Sequence, residues 1–92
     1  MTDVYAATVQ AIISVTNMNA AEITPEKHIY EDLAIDSLDF LDITFEIDRS
    51  LGIKLPLEDW MAEGDMDQKL LVKNFVGFVS EVLAGQQAEI DA

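Results

Sequence analysis

Ser37 lies between Asp36 and Leu38 inside an amphipathic, strongly acidic run, residues 31–48. Its hydroxyl is suited to carrying a phosphate ester. The first N–H groups of a helix have no partners within it, and the macrodipole there favours negative charge. Asp36 is a good N-cap residue, and Asp39 falls three positions later, as in a weak capping box. Ser37 is then expected at the first helical position with its hydroxyl exposed. The same serine acting as a nucleophile would need a base. The carboxylates near it in sequence are expected to be ionised and exposed, and no spacing brings His28 to it. An Asp-Ser pair alone is most often only a helix start, and a charge run is most often only a solvated face.

Other chemistry finds little support. The chain has no cysteine, so neither a disulfide framework nor a thiolate metal site is available. A single histidine, His28, is too few for a histidine-based metal site, and it reads as a loop or capping residue. Asp65 and Asp67 beside Gly64 lack the ligand spacing of a calcium loop. Eighteen acidic residues against five basic ones give a formal net charge of -13. Nucleic acid and anionic membrane surfaces are therefore poor partners, and basic protein patches are good ones. No stretch approaches the ~20 apolar residues of a membrane helix, and the N-terminus lacks a signal-peptide layout. A cytoplasmic protein is expected, and a monomer.

Helices must position Ser37. Tyr5, Val9, Ile12 and Ile13 recur at spacings of three and four and predict a first helix over 3–16. Residues 17–36 have no clear period, yet Ile23, Ile29, Tyr30, Leu33 and Ile35 can pin this long connection to the core. A second helix over 37–51 places Phe40, Ile43, Ile47 and Leu51 on one face, with Leu41 and Phe45 on a second stripe. That stripe faces either a partner or another helix of the same domain. Gly52 ends the helix, and Ile53-Lys54-Leu55 is extended before Pro56. A short helix over 57–62 carries Trp60, a polar loop spans 63–68, and a last helix covers 69–84. Residues 86–92 are expected to fray. The result is one all-α domain over residues 1–92, with an ordered core at about 3–85. Its fold is a small antiparallel bundle of three long helices and one short helix, with a radius of gyration near ~12 Å.

Tyr30-Glu31-Asp32-Leu33, then Asp36-Ser37-Leu38 and the acidic helix, resemble the acyl carrier protein family. The likeness runs from about residue 4 to about residue 85, with Ala34 where the family has glycine. The resemblance implies a carrier and not an enzyme. It implies 4′-phosphopantetheine, donated by coenzyme A through a phosphopantetheinyl transferase, on Ser37. The arm's thiol would hold acyl groups as thioesters. It maps Asp36, Leu38, Asp39, Leu41, Asp42 and Phe45 onto the face that docks acyl-chain synthesis and acyltransferase enzymes through their basic patches. Arg49 stands where the family usually has another acid. Periodicity and family position together make Phe40, Ile43, Ile47, Leu55, Trp60 and Val76 the expected lining of an acyl pocket.

A finer resemblance is to the specialised carriers of very long hydroxy fatty acids for lipid A. It rests on the run Ile35 to Ile43, on Gly52 to Leu57 with Trp60, and on Val72-Lys73-Asn74. Extra length between Pro56 and the last helix would widen the pocket. A carrier for ordinary fatty-acid or polyketide synthesis is the alternative, and an unmodified acidic interaction module is a more distant one.

Overall fold

Asp3 starts the first helix by accepting the Ala6 N–H on its carboxylate at 3.1 Å. In the computed structural model, which describes residues 3–91, α1 then runs Val4–Thr16. It stops at Asn17, whose φ of 60° is left-handed and whose N–H caps the Ile13 carbonyl at 2.8 Å. The buried face is Thr8, Val9, Ala11 and Ile12; Tyr5 and Ile13 are half-buried. The Thr8 hydroxyl is satisfied locally by the Val4 carbonyl at 2.8 Å, so its burial leaves no orphan.

The long connection is ordered by burial, as its apolar residues predict. Ile23, Ile29, Leu33 and Ile35 are all buried, and Tyr30 is half-buried. A single 3-10 turn, Ala20–Glu22, was not anticipated. It is held by a reciprocal capping box between Asn19 and Glu22. The connection also pairs with the far end of the chain. Ile29 N–H donates to the Leu70 carbonyl at 2.8 Å, Val72 N–H to Lys27 at 2.9 Å, and Lys73 N–H to Pro25 at 2.9 Å.

The second helix, α2, spans Ser37–Leu51, the predicted bounds. Gly52 closes it at φ 67°, a conformation that glycine adopts without steric cost. The short helix α3, Leu57–Ala62, also matches. Two expectations need correcting. The segment read as a loop over 63–68 contains a helical turn, α4, Met66–Lys69, whose N-cap Asp65 accepts the Asp67 N–H at 2.9 Å. The last helix, α5, is Val72–Asp91 and not 69–84. Its start is delayed because the backbone around Leu70 and Leu71 bridges to His28 and Ile29. Its backbone continues to Asp91, into the stretch expected to fray; Ala92 lies outside the described residues. At Gln86 the side chain donates to the Lys54 carbonyl at 2.9 Å and accepts the Lys54 N–H at 3.2 Å, tying the helix to the extended piece after α2.

No β-strand forms among the described residues; the His28–Leu71 contact is an isolated bridge. Helix α1 packs chiefly on α2 and then on α5. Between them lies one core that includes Ile12, Phe40, Ile43, Ile47, Phe75 and Val79. The radius of gyration is 12.7 Å.

Candidate functional site

Asp36 is extended, with ψ 174°, and its Oδ1 accepts the Asp39 N–H at 2.8 Å. Asp39 returns no bond to the Asp36 N–H among the described residues, so the capping box is half formed. Ser37 is the first residue of α2 and is exposed. Beneath it, Phe40 is buried and donates its N–H to the Asp36 carbonyl at 2.9 Å, which seats the helix start on the core. The first-turn N–H groups of Ser37 and Leu38 have no intrahelical acceptor, and the helix dipole adds positive potential there.

The loop that delivers Ser37 is wound around His28. Its Nδ1 accepts the N–H groups of Tyr30 at 3.1 Å and Glu31 at 3.0 Å. Its backbone N–H donates to Asp32 Oδ2 at 2.7 Å, and its carbonyl receives Asp32 and Leu33, each at 3.0 Å. Two donors on Nδ1 require its lone pair, which assigns the imidazole proton to Nε2. That nitrogen is buried without a hydrogen-bond partner, and Asp67 Oδ1 stands 3.9 Å away. His28 is therefore an organiser of the loop, a capping role that the sequence suggested.

Leu33 and Ile35 are both buried, and Ala34 between them turns outward at φ 55°, a left-handed value that favours glycine. Tyr30 packs edge-on against Phe40, with ring centroids 5.8 Å apart. Burial, and then the Asp36 carboxylate, hold its phenol above the ordinary value.

Two groups of residues diverge on α2. Leu38, Leu41 and Phe45 are 73%, 40% and 58% exposed, so among the described residues no helix covers the second stripe. Asp36 and Asp42 are exposed beside them, and Asp39 is half-buried. Arg49 is exposed and pairs with Glu46. On the opposite face Phe40, Ile43 and Ile47 are buried with Leu55, whereas Trp60 and Val76 are half-buried. Side chains fill this region. Phe40 meets Phe75 at 5.2 Å between centroids, and Trp60 stacks on Phe78 at 4.4 Å with planes 5° apart. Phe78 was absent from the sequence-based pocket. Its pairing with Trp60, eighteen residues away, leaves no local signal in the sequence.

An exposed serine on a helical bundle, at a helix start flanked by acids and uncovered leucines, is an arrangement suited to covalent attachment and presentation. Comparison with known proteins agrees. The family model described as the phosphopantetheine attachment site matches residues 7–64, more than half of the chain. The acyl carrier protein AcpXL of Rhizobium etli is 38% identical over 94% of this chain and 99% of its own length. The AcpXL of Mesorhizobium japonicum is 37% identical over 96% of this chain and the whole of its own. The meromycolate extension acyl carrier protein of Mycobacterium leprae is 39% identical over 62% of this chain and half of its own. The chain belongs to the acyl carrier protein family, whose prosthetic group is 4′-phosphopantetheine.

The residues present fit that group. Ser37 offers an exposed oxygen, and the α2 N-terminus offers unpartnered N–H groups to a phosphodiester. When bound, the group supplies a long arm ending in a thiol that carries acyl chains as thioesters. The chain's own contribution is to hold Asp36 and Phe40 so that the Ser37 hydroxyl faces solvent at a fixed place.

Proposed function

We propose that Ser37 carries the 4′-phosphopantetheine arm and that the chain performs no bond chemistry of its own. It acts as a monomer and presents thioester-linked acyl chains to separate enzymes. Those are a phosphopantetheinyl transferase and then acyl-chain synthesis enzymes and acyltransferases. The carrying observation is the exposed Ser37 at the head of α2, beside an apolar stripe that the domain leaves uncovered. Basic patches on partners complement Asp36, Asp39 and Asp42, while Leu38, Leu41 and Phe45 supply apolar contact. Phe40, Ile43, Ile47, Leu55, Trp60 and Val76 form the wall against which an acyl chain inserts. Insertion requires these packed side chains to part, and each methylene hidden from water returns about 0.8 kcal/mol.

The cargo we propose is a very-long-chain fatty acid destined for lipid A. Support comes from the residue runs shared with the specialised carriers and from full-length likeness to proteins named AcpXL.

Incubation with coenzyme A and a broad-specificity phosphopantetheinyl transferase, followed by intact-mass measurement, tests the attachment. Wild type gains one arm and Ser37→Ala gains none. A mutant still modified, or a wild type left unmodified beside a working control carrier, rejects it. The cargo is tested by thermal midpoints of forms loaded with a series of acyl lengths. A midpoint that climbs past common membrane fatty acids supports the long-chain reading. An early plateau favours ordinary fatty-acid or polyketide carriage.

A further inference from the structure

Helix α3 is the least anchored wall of the bundle. It is six residues long, its N-cap Pro56 supplies no side-chain bond, and it contributes no buried residue. Its backbone lies alongside another helix over less of its length than α1 does alongside α2. Trp60 gives it aromatic purchase on α5, through the stack on Phe78 and a tilted contact with Phe75 at 5.8 Å.

Lys69 completes this attachment from α4. Its Nζ donates to the Trp60 carbonyl, one of the groups that the C-terminus of α3 leaves without a helical partner. The same ammonium lies 5.6 Å from the centroid of the Trp60 ring. The stem passes over Gly64, where an added Cβ would meet Lys69 Cε at 3.2 Å; at φ 82° that position also favours glycine. Among the described residues no carboxylate lies within ion-pair reach of Lys69, although the chain carries a net charge of -13. The cation is directed to a carbonyl and a ring.

We propose that Lys69 is a positioning residue that keeps Trp60 on Phe78 and so holds the α3–α5 seam shut against the acyl chain. The inference rests on the carrier function above and adds the residue that sets how readily the core opens. A chain entering along Phe40 and Phe75 must separate Trp60 from Phe78, and it must do so against the Lys69 bonds. Losing a charge-assisted hydrogen bond raises the open population on the order of tenfold.

Trp60 is the only tryptophan, so its emission reports this seam directly. The unmodified full chain is compared with Lys69→Met, which keeps an apolar stem, and Lys69→Arg, which keeps a donor and a charge. In Lys69→Met, acrylamide quenching of Trp60 rises and amide exchange in α3 accelerates severalfold, while amides of α1 and α2 are unchanged. Lys69→Arg restores most of the protection. The chains are then loaded at Ser37 from hexadecanoyl-coenzyme A with the transferase. Loading changes Trp60 emission more in Lys69→Met than in wild type. Unchanged quenching in Lys69→Met, or exchange that accelerates uniformly through the domain, overturns the latch. Equal emission changes on loading overturn its control of the acyl chain. A wild-type chain that gains no mass sinks the Ser37 assignment and with it the acyl half, a result distinct from either.

Discussion

Replacing Ala34 with glycine should stabilise the domain. Ala34 sits at φ 55°, between buried Leu33 and Ile35, in the loop that delivers Ser37. An L residue held in left-handed backbone costs about 1–2 kcal/mol. Glycine removes that cost but gives the unfolded chain extra freedom, which offsets about 0.4–1 kcal/mol. Ala34 is exposed, so deleting its methyl forfeits little packing. The balance is a gain of about 0.5–1 kcal/mol, or about 2–8 °C in thermal midpoint for a domain of this size. Urea and thermal melts of the unmodified protein measure it. Ala34→Val is the counter-test, because a β-branched residue tolerates left-handed backbone least, and it should lower the midpoint. A lower midpoint for Ala34→Gly, or indifference to valine, would show that the loop does not hold this conformation in solution.

His28→Ala should cost about 2–4 kcal/mol by urea titration, because two loop N–H groups lose their acceptor; a cost below about 1 kcal/mol would mean that water replaces the ring. Tyr30 predicts an alkaline effect. Its neutral phenol is favoured by the fold, so that stability is complete below the ordinary value of 10.0 and is lost as pH rises through the raised one. Tyr30→Phe should therefore lose less stability than wild type as pH rises above 10.0; equal losses would remove Tyr30 from the cause. Reversing Asp39 and Asp42 together to lysine should slow arm attachment by the transferase, mainly through association, and blunt the effect of added salt. Equal salt response in both proteins would mark this face as merely solvated.

The bounds of α2 and α3 were readable because the chain punctuates them. Asp36 caps one start, Gly52 supplies the left-handed close, and Pro56 precedes the next helix. The start of α5 was not readable. Leu70 and Leu71 continue the apolar stripe of the last helix, but their backbone is drawn into the bridge with His28 and Ile29, a pairing between distant residues that no local period records. Distance in sequence also hid the Gln86–Lys54 and Lys69–Trp60 contacts. Of the site, Ser37 and its cap followed from local rules. Leu41 and Phe45 were visible as a second stripe, yet periodicity could not say whether it was covered. Trp60 was expected to line the acyl pocket, and nothing local to it showed its stacking on Phe78.

The bonds joining Pro25, Lys27 and Ile29 to residues 70–73 bear on the order of events at the ribosome. Ser37 is synthesised before Leu70 has been added to the chain. Until then the loop ahead of the serine lacks the backbone partners that hold it in place, and Phe75, against which Phe40 packs, does not exist. A transferase that reads a folded α2 start therefore meets an incomplete surface on the growing chain. On the proposed reading, a polypeptide truncated before α5 should take up the arm more slowly than the full chain.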